Sequence, residues 1–376
     1  MSSAVLTPPH IDLALFHRML DTDDDIPLVE LVDRAGHISR GLRFLVMTVL
    51  QRDGIVGTGS ADELRRLAER TTFYRKIADA CGALGARPVK GPALADWYPD
   101  DLPRPMNDLD LAVPDEATLW RVVGAIVEGH RPTTMDVTVF GGRPRHFFVS
   151  LAWPGADPLL DRDLRIEIST CALLGDNAAV PFRAELPADP VAAALLGVAE
   201  ERFQRPLNAK DAVDAIMVLT PGHTPDLPLL VRESARLRLA PELLELLDLT
   251  RSATDLLDHL PREFRTGLEA AATHEQERRD EWHRHNSPVP AGPERDFDGE
   301  WIRMALEAPR STVYGMQLTS LNEGVRANRD PRRAVVHDFG AGFLLLTPAA
   351  DFLLVPGGKV GQDLYDGAMT ALTALG

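Results

Sequence analysis

The run VKGPALADWYPDDLPRPMNDLDLAV, residues 89–113, decides how this chain reads. Asp108 and Asp110 stand one residue apart in a mostly apolar stretch that ends at Val113. Side chains alternate across a strand, so positions 108 and 110 share a face while Leu109, Leu111 and Val113 share the other. Two carboxylates held side by side repel unless a cation lies between them. Hard oxygen ligands at that separation suit Mg²⁺, which takes one or two carboxylates together with phosphate oxygens. That points to metal-assisted phosphoryl chemistry. The competing reading of a bare Asp-X-Asp is a solvated turn.

Downstream, Pro114 and Asp115 mark a helix start, because proline suits the first turn and an acidic side chain suits the positive end. Leu119, Val122, Val123 and Ile126 then recur at helical spacing over 116–127. The aspartates are thus expected on a short strand, buried on one side, that feeds a helix. Upstream, a helix is expected over 61–84, with Ser60 as N-cap and Glu63 completing a capping box. Leu64, Leu67, Tyr74, Ile77, Cys81 and Leu84 fall on one face, and Gly82, Gly85 and Pro88 end it. Lys90-Gly91 follows, then a short helix over 92–97. Glycine at such a turn lets backbone N–H groups approach a phosphate, and lysine adds a compact positive charge. Alternatively, Gly91 is only a turn and Lys90 only a surface charge.

A two-metal site needs a third carboxylate. In DLRIEIST, residues 163–170, Leu164, Ile166 and Ile168 alternate with Arg165, Glu167 and Ser169, which reads as a half-buried strand with Glu167 on its polar face. If that strand neighbours the Asp108 strand, the three acids converge. Otherwise Glu167 is a neighbour of Arg165 on a wet sheet face. Asp157, Asp161 and Asp163 precede the alternation and read as loop.

With these residues in place, the chain resembles the uncharacterised nucleotidyltransferase family of the DNA polymerase β-like superfamily. The resemblance rests on Lys90-Gly91, Ala93-Leu94-Ala95, Tyr98-Pro99, Arg104 and Asp108-Leu109-Asp110-Leu111, and covers about residues 60–220. It implies an α/β (α+β) fold: a nucleotidyltransferase core with a mixed sheet flanked by helices. It implies that Asp108, Asp110 and Glu167 bind Mg²⁺ or Mn²⁺, with Glu167 able to help deprotonate the acceptor. Lys90 and the backbone of Gly91 would hold an NTP triphosphate, and Arg104 would contact phosphate or orient the Asp108 strand. In this chain Lys-Gly stands where the wider superfamily has Gly-Ser. The third acid is Glu167, where Asp followed by His is commoner, which bears on the base more than on the metal. Lys210, in ERFQRPLNAKDAVDAIMVL, would reach a phosphate or be a solvated helix charge.

The whole chain sets limits. Its 376 residues suggest two or three domains, and 45% apolar residues supply a core. The expected segments are a helical 1–59, a core 60–220, a helical 221–286 and a small C-terminal ββ-hairpin/α module 294–376. SPVPAGP at 287–293 reads as a linker. Within the C-terminal module, strands are expected over 334–339, 342–347 and 351–355, with a closing helix over 364–375. A net charge of −16 argues against a broad nucleic-acid groove and against anionic membrane. Two cysteines, no basic apolar leader and no apolar run of membrane length fit a cytoplasmic setting. His274, His283 and His285 match no zinc spacing. The basic residues Arg326, Arg329, Arg332 and Arg333 read as a charged loop or as a contact for an anionic acceptor. The expected activity is transfer of a nucleoside monophosphate from an NTP to a small-molecule or protein acceptor, with release of pyrophosphate. The alternatives are a toxin-like tRNA nucleotidyltransferase and a non-catalytic nucleotide-binding or scaffold protein.

Overall fold

The computed structural model describes residues 11–219, 226–286, 299–321, 330–357 and 359–375. The expected linker at 287–293, Arg326, Arg329 and the first residues of the 221–286 segment lie outside the described residues. The described chain is mixed α/β, with thirteen α-helices and a nine-stranded sheet. It forms two compact units, each assembled from separated stretches: 1–75, 89–107 and 173–286 in one, and 76–88, 108–172 and 287–376 in the other.

All nine strands belong to the second unit. They are β1 (Arg87–Pro88), β2 (Leu109–Ala112), β3 (Thr134–Phe140), β4 (His146–Trp153), β5 (Leu164–Ser169), β6 (Thr312–Gln317), β7 (Val335–Asp338), β8 (Phe343–Leu346) and β9 (Asp351–Val355). Their order is β1-β2-β5-β4-β3-β6-β9-β8-β7. β2 and β5 run parallel, and every other neighbouring pair is antiparallel. Leu111, Ile168, Val149 and Val137 stand in one cross-strand row, all buried. Leu109, Ile166, Leu151 and Met135 make the next row on the same face.

That apolar face is covered by a helix, Glu116–His130, which contacts β4 and β5. It starts where the sequence places it. Asp115 accepts a hydrogen bond from Thr118 N–H at 2.7 Å, and this capping bond holds the Asp115 carboxyl below its usual range. The helix buries Leu119, Val122, Val123 and Ile126, and Trp120 packs edge-on against Phe147 at 5.9 Å.

The expected strands near the C-terminus are present as β7, β8 and β9, and the closing helix, Gln362–Leu375, packs Ala368 and Leu372 against Leu344, Leu353 and Val355. They do not close into a sheet of their own. β9 pairs with β6 and β6 with β3, so the one sheet continues through them. β6 escaped the sequence reading because TVYGMQ lacks a clean alternation: Gly315 interrupts it, and Tyr314 and Met316 stay exposed.

The first unit is helical. Leu13–Met19, Leu28–Ile38 and Arg40–Arg52 occupy the expected N-terminal region, with Asp12 and Ser39 capping two of them. Leu15, Phe16, Leu42, Leu45 and Val49 share a core with Tyr98, Leu102, Val213 and Ile216. The long helix spans Thr58–Gly82 and corrects one expectation. It begins before Ser60, whose Oγ bonds Gly57 N and O, and Glu63 is turned to Arg43 at 3.0 Å. The proposed capping box is not formed, because two better partners claim its members. The later helices are Pro190–Ala199, Ala209–Leu219, Leu227–Arg236, Ala240–Ala253 and Arg262–His285. Pro190–Ala199 is apolar on every side, and all of it after the exposed Pro190 is buried.

Candidate functional site

The parallel pairing of β2 with β5 places Asp110 directly opposite Glu167. Neighbouring strands lie about 4.8 Å apart, so the two carboxylates leave the same face side by side. The row continues across the sheet through Ser150 on β4 and Asp136 on β3. Asp110 and Glu167 are half-buried, Ser150 is 8% exposed and Asp136 is exposed. This is the polar face, opposite the rows that the helix 116–130 covers.

Asp108 lies one residue ahead of β2 and is exposed. The residue before it is firmly held: the Asn107 carbonyl accepts from Tyr74 Oη at 3.0 Å and from Arg70 at 3.4 Å. Among the described residues no three His, Cys, Asp or Glu side chains are gathered as a metal-binding group. The structure therefore brings Asp110 and Glu167 together and leaves Asp108 beside them without closing a three-acid cluster. Glu167 also meets Arg165 at 3.7 Å, with the arginine 58% exposed. At that exposure the pair is weak and does not lock the carboxylate. The donor set, acidic oxygens on adjoining strands, fits a hard divalent cation.

The four other expected site residues belong to the helical unit, and carboxylates meet three of them. Gly91 caps a helix of only four residues, Pro92–Ala95, with φ +54°, a conformation that suits glycine. A helix that short has little dipole to offer an anion. Lys90 is ion-paired with Glu201, which also meets Arg205 at 3.3 Å. Burial pushes the Glu201 carboxyl up, but Lys90 and Arg205 outweigh it and hold it below its usual value. Arg104 is buried, and its guanidinium donates two hydrogen bonds to Asp214, at 2.7 and 2.9 Å. Lys210 donates to the same carboxylate at 2.8 Å, and the Tyr98 hydroxyl donates to it at 2.6 Å. Burial works against the charged form of Asp214, yet Arg104 and Lys210 hold its carboxyl well below the ordinary range. Burial and then Asp214 push the Tyr98 hydroxyl well above its own.

The sequence alone marks Tyr98, Arg104 and Lys210 without pairing them with Asp214. Only the four-residue spacing of Lys210 and Asp214 on one helix pointed to an ion pair. Arg205 with Asp211, at 2.7 and 2.9 Å, completes the network, and Asp211 is buried.

No known protein family, curated protein or solved structure matches this chain. No helix among the described residues is long and apolar enough to cross a membrane.

Proposed function

We propose that this chain is a metal-dependent nucleotidyltransferase of the polymerase β-like kind, moving a nucleoside monophosphate from an NTP to an acceptor and releasing pyrophosphate. The observation that carries the reading is the register of Asp110 against Glu167, with Asp108 two residues upstream. Asp108, Asp110 and Glu167 would hold Mg²⁺ or Mn²⁺, which when bound supplies Lewis acidity to the phosphoryl oxygens. In this reading the Glu167 carboxylate takes the acceptor proton, and Ser150 opposite it in register adds a hydroxyl to the same row.

Lys90, Arg104, Arg205 and Lys210 face Glu201, Asp211 and Asp214 in one network. Four cations against three carboxylates leave it net positive. In this reading Lys90 and Lys210 would meet a phosphate at the helical unit, and buried Arg104 is a positioning residue. The acceptor is a small molecule or a protein side chain, because a net charge of −16 opposes long nucleic acid.

Incubation with each labelled NTP, Mg²⁺ or Mn²⁺ and candidate acceptors tests the reading. Labelled product together with pyrophosphate supports it, and loss of both in Asp110→Asn ties it to the carboxylates. Equal yields from wild type and Asp110→Asn would remove it. A non-catalytic nucleotide-binding protein is the second reading, favoured by the carboxylates that meet Lys90, Arg104 and Lys210. It expects NTP binding with no release of pyrophosphate.

A further inference from the structure

A cavity of about 550 Å³ opens in the sheet-bearing unit at the end of the sheet where β4 begins. It is separate from the carboxylate row: Thr170, on its wall, lies three residues beyond Glu167, roughly 10 Å at the rise of a strand. Its floor is apolar, built by Phe147, Leu306, Val336 and Leu345. Around this floor stand Arg143, Arg145 and Arg333. The carboxylate row uses none of them, and of the three only Arg333 stands in the basic run that the sequence offers as a contact for an anionic acceptor.

The walls are held in place. Gly141 N–H donates to Ser311 O at 2.8 Å and Gly142 N–H to Leu306 O at 3.2 Å, fastening the turn that carries Arg143 and Arg145. A Cβ on Gly141 would lie 1.9 Å from the Ala305 carbonyl oxygen, so only glycine allows this approach. Arg333 precedes Ala334, whose N–H donates to Glu116 Oε1 at 2.7 Å. The His146 ring meets Thr170 O and Oγ1 at 3.3 and 3.2 Å.

The charges are unevenly engaged. Arg143 is turned to Glu307 at 3.2 Å. Arg145 uses only its Nε, donating to Leu306 O at 3.4 Å. The Arg333 guanidinium has no partner among the described residues. The two acids on the wall have other tasks: Asp115 caps Thr118, and Glu116 accepts from Trp120 Nε1 and Ala334 N–H. Burial keeps the His146 ring below its ordinary value, so near neutral pH the arginines supply the field.

We infer that this cavity binds a small organic oxyanion, with Arg145 and Arg333 forking onto its charged group and the apolar floor taking its body. Guanidinium forks match phosphate and carboxylate alike. The volume lies in the range of small-molecule sites. The hydrogen-bonded walls lower the ordering cost of binding.

Calorimetric titration of the full chain with phenyl phosphate, benzoate and inorganic phosphate tests this. Saturable binding of phenyl phosphate or benzoate, tighter than that of inorganic phosphate, is expected, and the tighter of the two identifies the charged group. Binding should weaken at least tenfold in Arg333→Ala or Arg145→Ala and persist in Asp110→Asn. Both arginines are exposed, so neither change threatens the fold, and circular dichroism checks this. Absence of saturable binding by all three probes, or undiminished binding in both arginine variants, overturns the inference.

Discussion

Asp110 and Glu167 stand opposite each other on parallel neighbouring strands, so two acids 57 positions apart in sequence share one face of the sheet. Both are half-buried, which keeps them reachable by a ligand while limiting their escape to bulk water. Asp108→Asn, Asp110→Asn and Glu167→Gln should each lower nucleotidyl transfer at least 100-fold, because each removes a charge that the proposed cation needs. Melting temperatures should stay within a few degrees of wild type. Arg165→Ala is the contrast: its exposed pair should change urea stability by no more than about 0.5 kcal/mol. Nucleotidyl transfer retained in Asp110→Asn would separate the carboxylates from the proposed chemistry.

Asp214 is the electrostatic centre of the helical unit. It is 1% exposed and receives Arg104, Lys210 and Tyr98. Asp214→Ala strands two cations in a buried place and should cost about 3–5 kcal/mol in urea unfolding. Arg104→Ala should cost less, because Lys210 and Tyr98 continue to satisfy the carboxylate. A loss below 1 kcal/mol in Asp214→Ala would show that water reaches the network.

Acid should act through the same group. The folded carboxyls of Asp214 and Glu201 lie below their ordinary values, so their stabilisation is complete above the unfolded values, about 4. It is lost as the pH falls through that value toward the folded ones. Glu200, raised by burial against the pull of Arg183, works the other way: its stabilisation fades as the pH rises through its folded value. Urea midpoints at pH 7, 5, 4 and 3 should therefore drop below pH 4. The drop should be shallower in Asp214→Asn.

Cys81 is 2% exposed, and burial pushes its thiol up to about 11. Cys171 is equally buried. Neither should react with a chromogenic thiol reagent at pH 8 in the native protein, and both should react in denaturant. Fast reaction of one thiol without denaturant would expose local opening of its segment.

Local chemistry made much of the fold legible. β2, β5 and the helix over 116–130 were readable because strand alternation, 3.6-residue spacing and an acidic residue at a helix start are short-range signals, although the capping bond of Asp115 itself is seen only in the structure. Ser60 misled because a capping motif states only what a side chain is able to do, and Gly57 and Arg43 were unseen competitors. β6 was illegible because its pairing with β3 joins residues more than 170 positions apart, and its own pattern is broken at Gly315.

The sequence by itself determined that Asp110 and Glu167 lie on strands and which face each of those strands buries, while Asp108, expected beside them, falls one residue ahead of β2. Tertiary structure alone decided that β2 and β5 are parallel neighbours in the register that sets Asp110 against Glu167. It alone turned Arg104 and Lys210 onto Asp214. Alternation fixes a side chain's face, but register and ion-pair choice are settled by contacts between residues distant in the chain. There burial makes an unpartnered charge costly, and only the assembled packing supplies the partner.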